Sequence, residues 1–223
     1  MKRTVFEILF LVSAAAYIFT LQYNPYDFNF LVKAFPVWCL LLISLISVKG
    51  RDGRYLALGL FLSSLGDIAL SFSRPKDDGI WFITGLAFFL LAHICYIILF
   101  SREVKFRKQL LPLMTAVCMY SLVMLVMLIN SPKALPLIVP IMAYLFVITT
   151  MGLFSFLRYP APWYLIAGAV FFIASDSLLA IHNFMRGIIG APYFIMITYY
   201  IAQYLIARSF VAISDAKKSQ AAG

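Results

Sequence analysis

Ile80-Trp81-Phe82-Ile83-Thr84-Gly85-Leu86-Ala87-Phe88-Phe89-Leu90-Leu91-Ala92-His93-Ile94-Cys95-Tyr96-Ile97-Ile98-Leu99-Phe100 runs without a single Asp, Glu, Lys or Arg. As a helix rising about 1.5 Å per residue, the segment covers ~30 Å, the thickness of a bilayer's hydrocarbon core. In lipid the backbone must satisfy its own polar groups, and the apolar-polar alternation of a barrel strand is absent, so the segment reads as a membrane-spanning helix. Outward from it, similar runs predict spans over 4–21, 31–48, 55–72, 80–100, 109–129, 135–157, 163–183 and 191–213. The composition agrees: 64% of residues are hydrophobic and 12% charged, against roughly half and a quarter in soluble domains. The expected fold class is all-α, a polytopic transmembrane bundle of eight helices. No linker or low-complexity stretch divides it, so residues 1–223 read as a single transmembrane domain.

Charge placement supports the count. With eight spans, Lys2, Arg3, Lys49, Arg51, Arg54, Arg102, Lys105, Arg107, Lys108, Arg158, Arg208, Lys217 and Lys218 fall on one face, and only Lys33, Arg74, Lys76, Lys133 and Arg186 on the other. The positive-inside rule makes the richer face cytoplasmic, both termini included, and the expected location is a bacterial plasma (inner) membrane. The net charge of +9 therefore reports orientation and gives no reason to expect a nucleic-acid partner. The first apolar run follows Lys2 and Arg3 like a secretion signal, but it is long and ends in no small-residue cleavage pattern, so it reads as a retained helix. Cys39, Cys95 and Cys118 fall inside spans without CxxC spacing, and suggest small packing residues more than a disulfide or thiolate metal site. Pro36, Pro112, Pro136 and Pro140 lie in or near spans, where kinks are tolerated if neighbours satisfy the freed carbonyls.

Two stretches parallel each other. Gly59-Leu60-Phe61-Leu62-Ser63-Ser64-Leu65-Gly66-Asp67-Ile68-Ala69-Leu70 and Gly168-Ala169-Val170-Phe171-Phe172-Ile173-Ala174-Ser175-Asp176-Ser177-Leu178-Leu179 both place glycine eight residues before an aspartate and leucine three after it. They belong to the third and seventh spans, and a shift of four helices preserves direction, as a 4+4 parallel repeat requires. Chance matching in apolar sequence is the alternative.

An ionisable group near the bilayer centre costs ~2.5–3.5 kcal/mol on insertion scales, so each needs a partner, a wet cavity or a function. Asp67 and Asp176 lie at one depth, ~20 Å beyond the cytoplasmic boundary at about 1.5 Å per residue. Two carboxylates at that depth are expected to converge on a shared pocket, where repulsion and desolvation keep a proton on one of them near neutral pH. Separate helix-packing hydrogen bonds are the structural alternative. Lys33 has a similar depth and can pair with an aspartate, bind a phosphate or snorkel to the interface. His93 shares a face with Tyr96, and Tyr199 with Gln203. His182 and Asn183 follow Asp176 at the outer end, and Glu7 is placed to pair with Lys2 or Arg3. Interhelical hydrogen bonding would also explain these polar groups. There is no GxSxG elbow, HExxH, Walker loop or glycine-rich dinucleotide turn. Two histidines exclude a three-histidine zinc site, though a mixed His and Asp site stays open.

At these residues the chain resembles the YhhN-like lysoplasmalogenase family of eight-span membrane hydrolases. The resemblance rests on Lys33-Ala34-Phe35-Pro36, on Gly59 through Asp67, and on Gly85-Leu86-Ala87-Phe88-Phe89 through His93 and Tyr96. Ser175-Asp176-Ser177-Leu178-Leu179-Ala180 and Thr198-Tyr199-Tyr200-Ile201-Ala202-Gln203 complete it. It implies hydrolysis of the vinyl ether bond of lysoplasmalogens to a fatty aldehyde and glycerophosphoethanolamine or glycerophosphocholine, on a lysophospholipid drawn from the bilayer, with no cofactor or metal. The expected catalytic pair is Asp67 and Asp176, one a general acid and the other ionised, with Lys33, His93, Asn183, Tyr199 and Gln203 around substrate. The competing expectations are a metal-dependent lipid amidase, a proton-coupled transporter and a catalytically silent lipid-binding protein.

Overall fold

The computed structural model describes residues 2–73 and 79–222; Arg74 and Lys76, assigned above to the outer face, lie outside them. Eight helices among the described residues are long and apolar enough to cross a membrane. They are α1 (Lys2–Thr20), α2 (Asn29–Ser47), α3 (Gly50–Phe72), α4 (Ile80–Phe100), α5 (Leu111–Ile129), α6 (Ile138–Leu157), α7 (Trp163–Ala180) and α8 (Ala191–Ala222). Gly50 and Gly79, just before or at the starts of α3 and α4, have φ of +71° and +79°, a left-handed turn that only glycine makes without strain. Pro112 sits in the first turn of α5 and Pro140 in that of α6, where no intrahelical N–H bond is lost. Of the four prolines noted, only Pro36 is interior to a helix, and there the Tyr200 hydroxyl donates to the neighbouring Lys33 carbonyl at 2.8 Å.

Two helices outrun their apolar spans. α3 begins at Gly50 rather than near 55, and α8 continues to Ala222 rather than ending near 213. Hydropathy marks where lipid ends, whereas α8 continues past it on a tail of good helix formers, Ala, Lys and Gln, and α3 begins before it with Asp52 in its first turn, where a negative charge favours a helix start.

The helix neighbours form a closed ring, α2-α3-α4-α6-α7-α8 and back to α2, with α1 packed outside on α2 and α5 outside on α6. A shift of four helices maps this pattern onto itself. The α1–α2, α2–α3, α3–α4 and α4–α6 contacts correspond to α5–α6, α6–α7, α7–α8 and α8–α2. The paralleled glycines serve one purpose in both halves. Gly59 lies against Tyr96 of α4, and Gly168 against Ile206 of α8. A Cβ on Gly59 would come within 2.5 Å of Tyr96 Cε1. That ring is fully buried and its hydroxyl is held by Gln203, so it has no room to retreat. Gly59→Ala is expected to destabilise the bundle by about 1–3 kcal/mol, the usual cost of overpacking, read as a lower unfolding temperature in detergent.

Both termini lie at one end of the bundle, where Arg3 meets Asp215 at 2.7 Å and Glu7 at 3.3 Å. Glu7 also meets Arg208 at 3.4 Å. Arg158, counted above among loop cations, is fully buried at this end. It lies 3.2 Å from Glu103, 3.6 Å from Asp52 and over the Phe210 ring. The Lys217 ammonium, 2.9 Å from Glu103, holds that carboxyl below its ordinary range. This network ties the α4–α5 and α6–α7 loops to the starts of α3 and the tail of α8.

Candidate active site

In the six-helix ring α3 and α7 face each other, and each presents its aspartate to the interior. The partners of the two carboxyl groups come from corresponding helices but differ in chemistry. Asp67 receives a hydrogen bond from the Tyr199 hydroxyl of α8 at 2.6 Å and lies 3.4 Å from the Lys33 ammonium of α2. Asp176 receives a hydrogen bond from the Tyr144 hydroxyl of α6 and has His93 Nε2 of α4 at 3.9 Å. Under the four-helix shift α2 becomes α6 and α8 becomes α4, so lysine and tyrosine in one half stand where tyrosine and histidine stand in the other.

Aromatic rings fill the space between. The His93 ring meets Phe172 edge-on at 4.5 Å and Tyr144 at 5.4 Å, and Phe172 in turn meets Tyr199 at 5.6 Å. His93 is fully buried, and neither ring nitrogen has a hydrogen-bond partner at good geometry. It is enclosed among rings, with the Asp176 carboxyl 3.9 Å from Nε2. Gln203 accepts from Tyr96 at 2.7 Å, while its Nε2 is left without a partner.

Two cavities meet above the aspartates. A polar cleft of about 390 Å³ opens at the end away from the termini, with Lys33, Asn24, Asn29, Ser71, His182 and Asn183 on its walls. A narrow slot of about 60 Å³ runs between α4, α5, α6 and α7, and is apolar apart from Asp176, Tyr144, Ser121, Thr149 and Ser177. Leu70, Phe82 and Leu179 line both and form the neck between them. The leucine three residues after each aspartate in the internal parallel is thus a neck residue in both halves, one turn outward of its aspartate.

The spacing predicted that both carboxylates would share one pocket, and the structure differs. Asp176 lines the slot, but Asp67 is 1% exposed and lines neither cavity. Lys33 and Tyr199 close over it, because a buried carboxylate needs a cation and a donor more than it needs water. Of the other residues singled out, Lys33 and Asn183 reach the cleft, whereas His93, Tyr199 and Gln203 lie behind the walls as a buried polar layer. Tyr144 was missed. A lone tyrosine in an apolar span has no sequence signature, and only the approach of α6 to α7 gives it a role. Among the described residues, no group of three or more His, Cys, Asp and Glu side chains comes together as a metal would need.

Lysoplasmalogenase of Mycobacterium bovis is 31% identical over 166 residues, which cover 72% of this chain and 62% of that protein. The chain thus spans somewhat under two thirds of the mycobacterial relatives it matches. Rat Lysoplasmalogenase TMEM86B is 32% identical over 184 residues, 80% of this chain and 71% of its own length. Human Lysoplasmalogenase TMEM86A is 31% identical over 210 residues, 84% of this chain and 80% of its own. No solved structure matches the chain. Residues 28–210 match the YhhN family as a whole, a stretch that contains both aspartates, their four partners and the neck, and the chain belongs to that family.

Proposed function

We propose that this chain hydrolyses the vinyl ether bond of lysoplasmalogens, with Asp176 as the general acid. The carrying observation is the difference between the two half-sites. Asp67 has an ammonium 3.4 Å away and is the carboxylate of an ion pair. Asp176 has no lysine or arginine beside it, only a tyrosine hydroxyl and a buried imidazole, so it is the carboxyl that holds a proton. It is also the one that faces a cavity.

The two cavities fit the two ends of the substrate. The polar cleft takes the glycerophospho headgroup, with Lys33 Nζ directed to the phosphate. The apolar slot takes the start of the alkenyl chain, which puts the vinyl ether at the neck beside Asp176. Asp176 passes its proton to the outer alkene carbon, and the electron pair of the double bond forms the new C–H bond. The cation left is an oxocarbenium ion shared between the inner carbon and the ether oxygen, stabilised by the newly formed Asp176 carboxylate. Water adds to that carbon and returns a proton to Asp176. The resulting hemiacetal collapses to aldehyde and the glycerol hydroxyl, and the carboxyl is regenerated. Tyr144 orients the acid, while Asp67 acts as a positioning residue that fixes Lys33.

The slot is shorter than a lipid tail, so a wall must yield. α5 packs chiefly on α6 and is, with α1, the least buried of the helices, which makes α5 the wall that moves toward lipid. Met124 and Leu128 of α5 are buried against the slot. Leu128→Trp is expected to exclude about two methylenes at ~0.8 kcal/mol each, lowering kcat/KM for long-chain substrate about tenfold relative to a short-chain analogue. We also place the terminal end in the cytoplasm of a bacterial inner membrane, on the strength of the charge bias.

The deciding assay supplies 1-alkenyl lysophosphatidylethanolamine to the purified chain in detergent and follows fatty aldehyde. Aldehyde release by the wild type is the expected result. A transporter or a silent lipid-binding protein would produce none, and an amidase would cleave an amide substrate in preference; either outcome refutes the reading.

A further inference from the structure

A second site of a different kind lies at the terminal end of the bundle, outside the ring. Arg51, Arg54, Tyr55 and Leu58 follow one another on a single face of α3, at the spacing that aligns side chains along a helix. Ile98 of α4 and Arg102, four residues on, stand beside them. Together these six residues line a cleft of about 430 Å³.

The cleft has two levels. Arg51, Arg54 and Arg102 surround its mouth at the polar rim, and Leu58 and Ile98, both exposed on the outer surface, continue it toward the hydrocarbon. Leu58 lies four residues beyond Arg54, about 6 Å deeper along the helix. A cationic mouth above an apolar, lipid-facing wall has the layout of a phospholipid turned inside out: phosphate at the interface, acyl chain below.

The state of the arginines sets this cleft apart from most of the basic surface. At the same end Arg3, Arg158, Arg208 and Lys217 meet carboxylates, and Lys49 and Arg107 donate to backbone carbonyls. Arg102 is paired with Asp52. Lys105 lies over the Tyr159 ring, and the side chains of Arg51, Arg54 and Lys108 have no ion pair or hydrogen bond among the described residues; of these, Arg51 and Arg54 line one cleft. Two uncompensated guanidinium groups at one cleft repel each other and favour an anion between them. Guanidinium also matches phosphate oxygens two at a time.

We propose that this cleft binds an anionic phospholipid of the surrounding leaflet, with the Arg51 and Arg54 guanidinium groups on its phosphate, the Tyr55 hydroxyl beside them and an acyl chain along Leu58 and Ile98. The site is independent of the aldehyde-forming reaction. It lies at the opposite end of the bundle and shares no residue with the cleft or the slot.

The test reads lipid retention by native mass spectrometry of the detergent-purified chain, with phosphatidylglycerol and phosphatidylcholine of identical acyl chains as competing probes. Wild type is expected to keep phosphatidylglycerol at least tenfold better than phosphatidylcholine, and raised salt to narrow the gap. Arg51→Gln together with Arg54→Gln is expected to remove the preference, while Lys105→Gln with Lys108→Gln, the same charge loss at the same end, keeps it. Equal retention of the two lipids by the wild type would overturn the proposal without reference to any variant. So would equal loss in the lysine double variant, which would mean diffuse attraction to the whole basic surface. Millimolar inorganic phosphate is expected not to displace the lipid; displacement would show that a soluble anion is the ligand and would end the lipid assignment.

Discussion

Asp176→Asn is expected to lower kcat for aldehyde release by about 10²–10⁴-fold, the contribution usual for a positioned general acid, and to leave KM nearly unchanged. Asparagine keeps the shape and the Tyr144 contact but has no proton to give to carbon. The alkenyl chain still enters the slot and the phosphate still meets Lys33, so binding survives. Tyr144→Phe provides the companion measurement. It removes the hydrogen bond that holds the carboxylate formed as the proton leaves, worth about 1.5–3 kcal/mol where a charged group is involved, and is expected to cost about 10–10²-fold in kcat. Full activity in Asp176→Asn would show that the proton comes from elsewhere and would remove the basis of the mechanism. A loss in KM alone would instead make Asp176 a binding group.

The second large effect concerns stability. Lys33 and Asp67 are both buried and lie 3.4 Å apart. Removing one member of such a pair leaves an uncompensated charge in a low-dielectric interior and typically costs 3–5 kcal/mol, roughly the whole margin of many domains. Lys33→Met and Asp67→Asn are each expected to unfold at markedly lower temperature in detergent. The double variant, which leaves no buried charge, is expected to recover most of that loss. Activity separates the two roles of the pair: the double variant should fold but stay poorly active, because no cation remains in the cleft to hold the phosphate. A double variant no more stable than the single ones would show that the two side chains do not act on each other.

The internal parallel gains its meaning from these expectations. Glycine, aspartate and leucine at fixed spacing in α3 and α7 are visible in the linear chain, and each has a counterpart in place. The glycines admit the next helix, the aspartates face inward, and Leu70 and Leu179 form the neck. The surrounding residues differ, so one half-site holds an ion pair and the other a carboxyl beside a tyrosine and a histidine.

Legibility differed by residue. The pairing of Glu7 with Arg3 was readable because the two are four apart on one helix. Lys33 was recognisable as a charge too deep to lie idle, yet its choice between an aspartate, a phosphate and the interface was not. Arg158 looked like an ordinary loop cation and is instead fully buried between two carboxylates and a phenyl ring. Asp52, in the first turn of α3, and Glu103, in the α4–α5 loop, hold it from positions distant in the chain.

What the residues determined on their own was solvent and depth. Long uncharged runs require helices in lipid, their number and charge bias arrange the ends, and the rise per residue puts both aspartates at one level. What only the tertiary structure decided was rotation and neighbourhood. A span such as α4 is apolar around its whole circumference, so no periodicity says which side faces the interior. The contacts of Tyr144 with Asp176 and of Lys33 with Asp67 depend on that rotation. Which carboxyl group has a lysine beside it was therefore decided by packing.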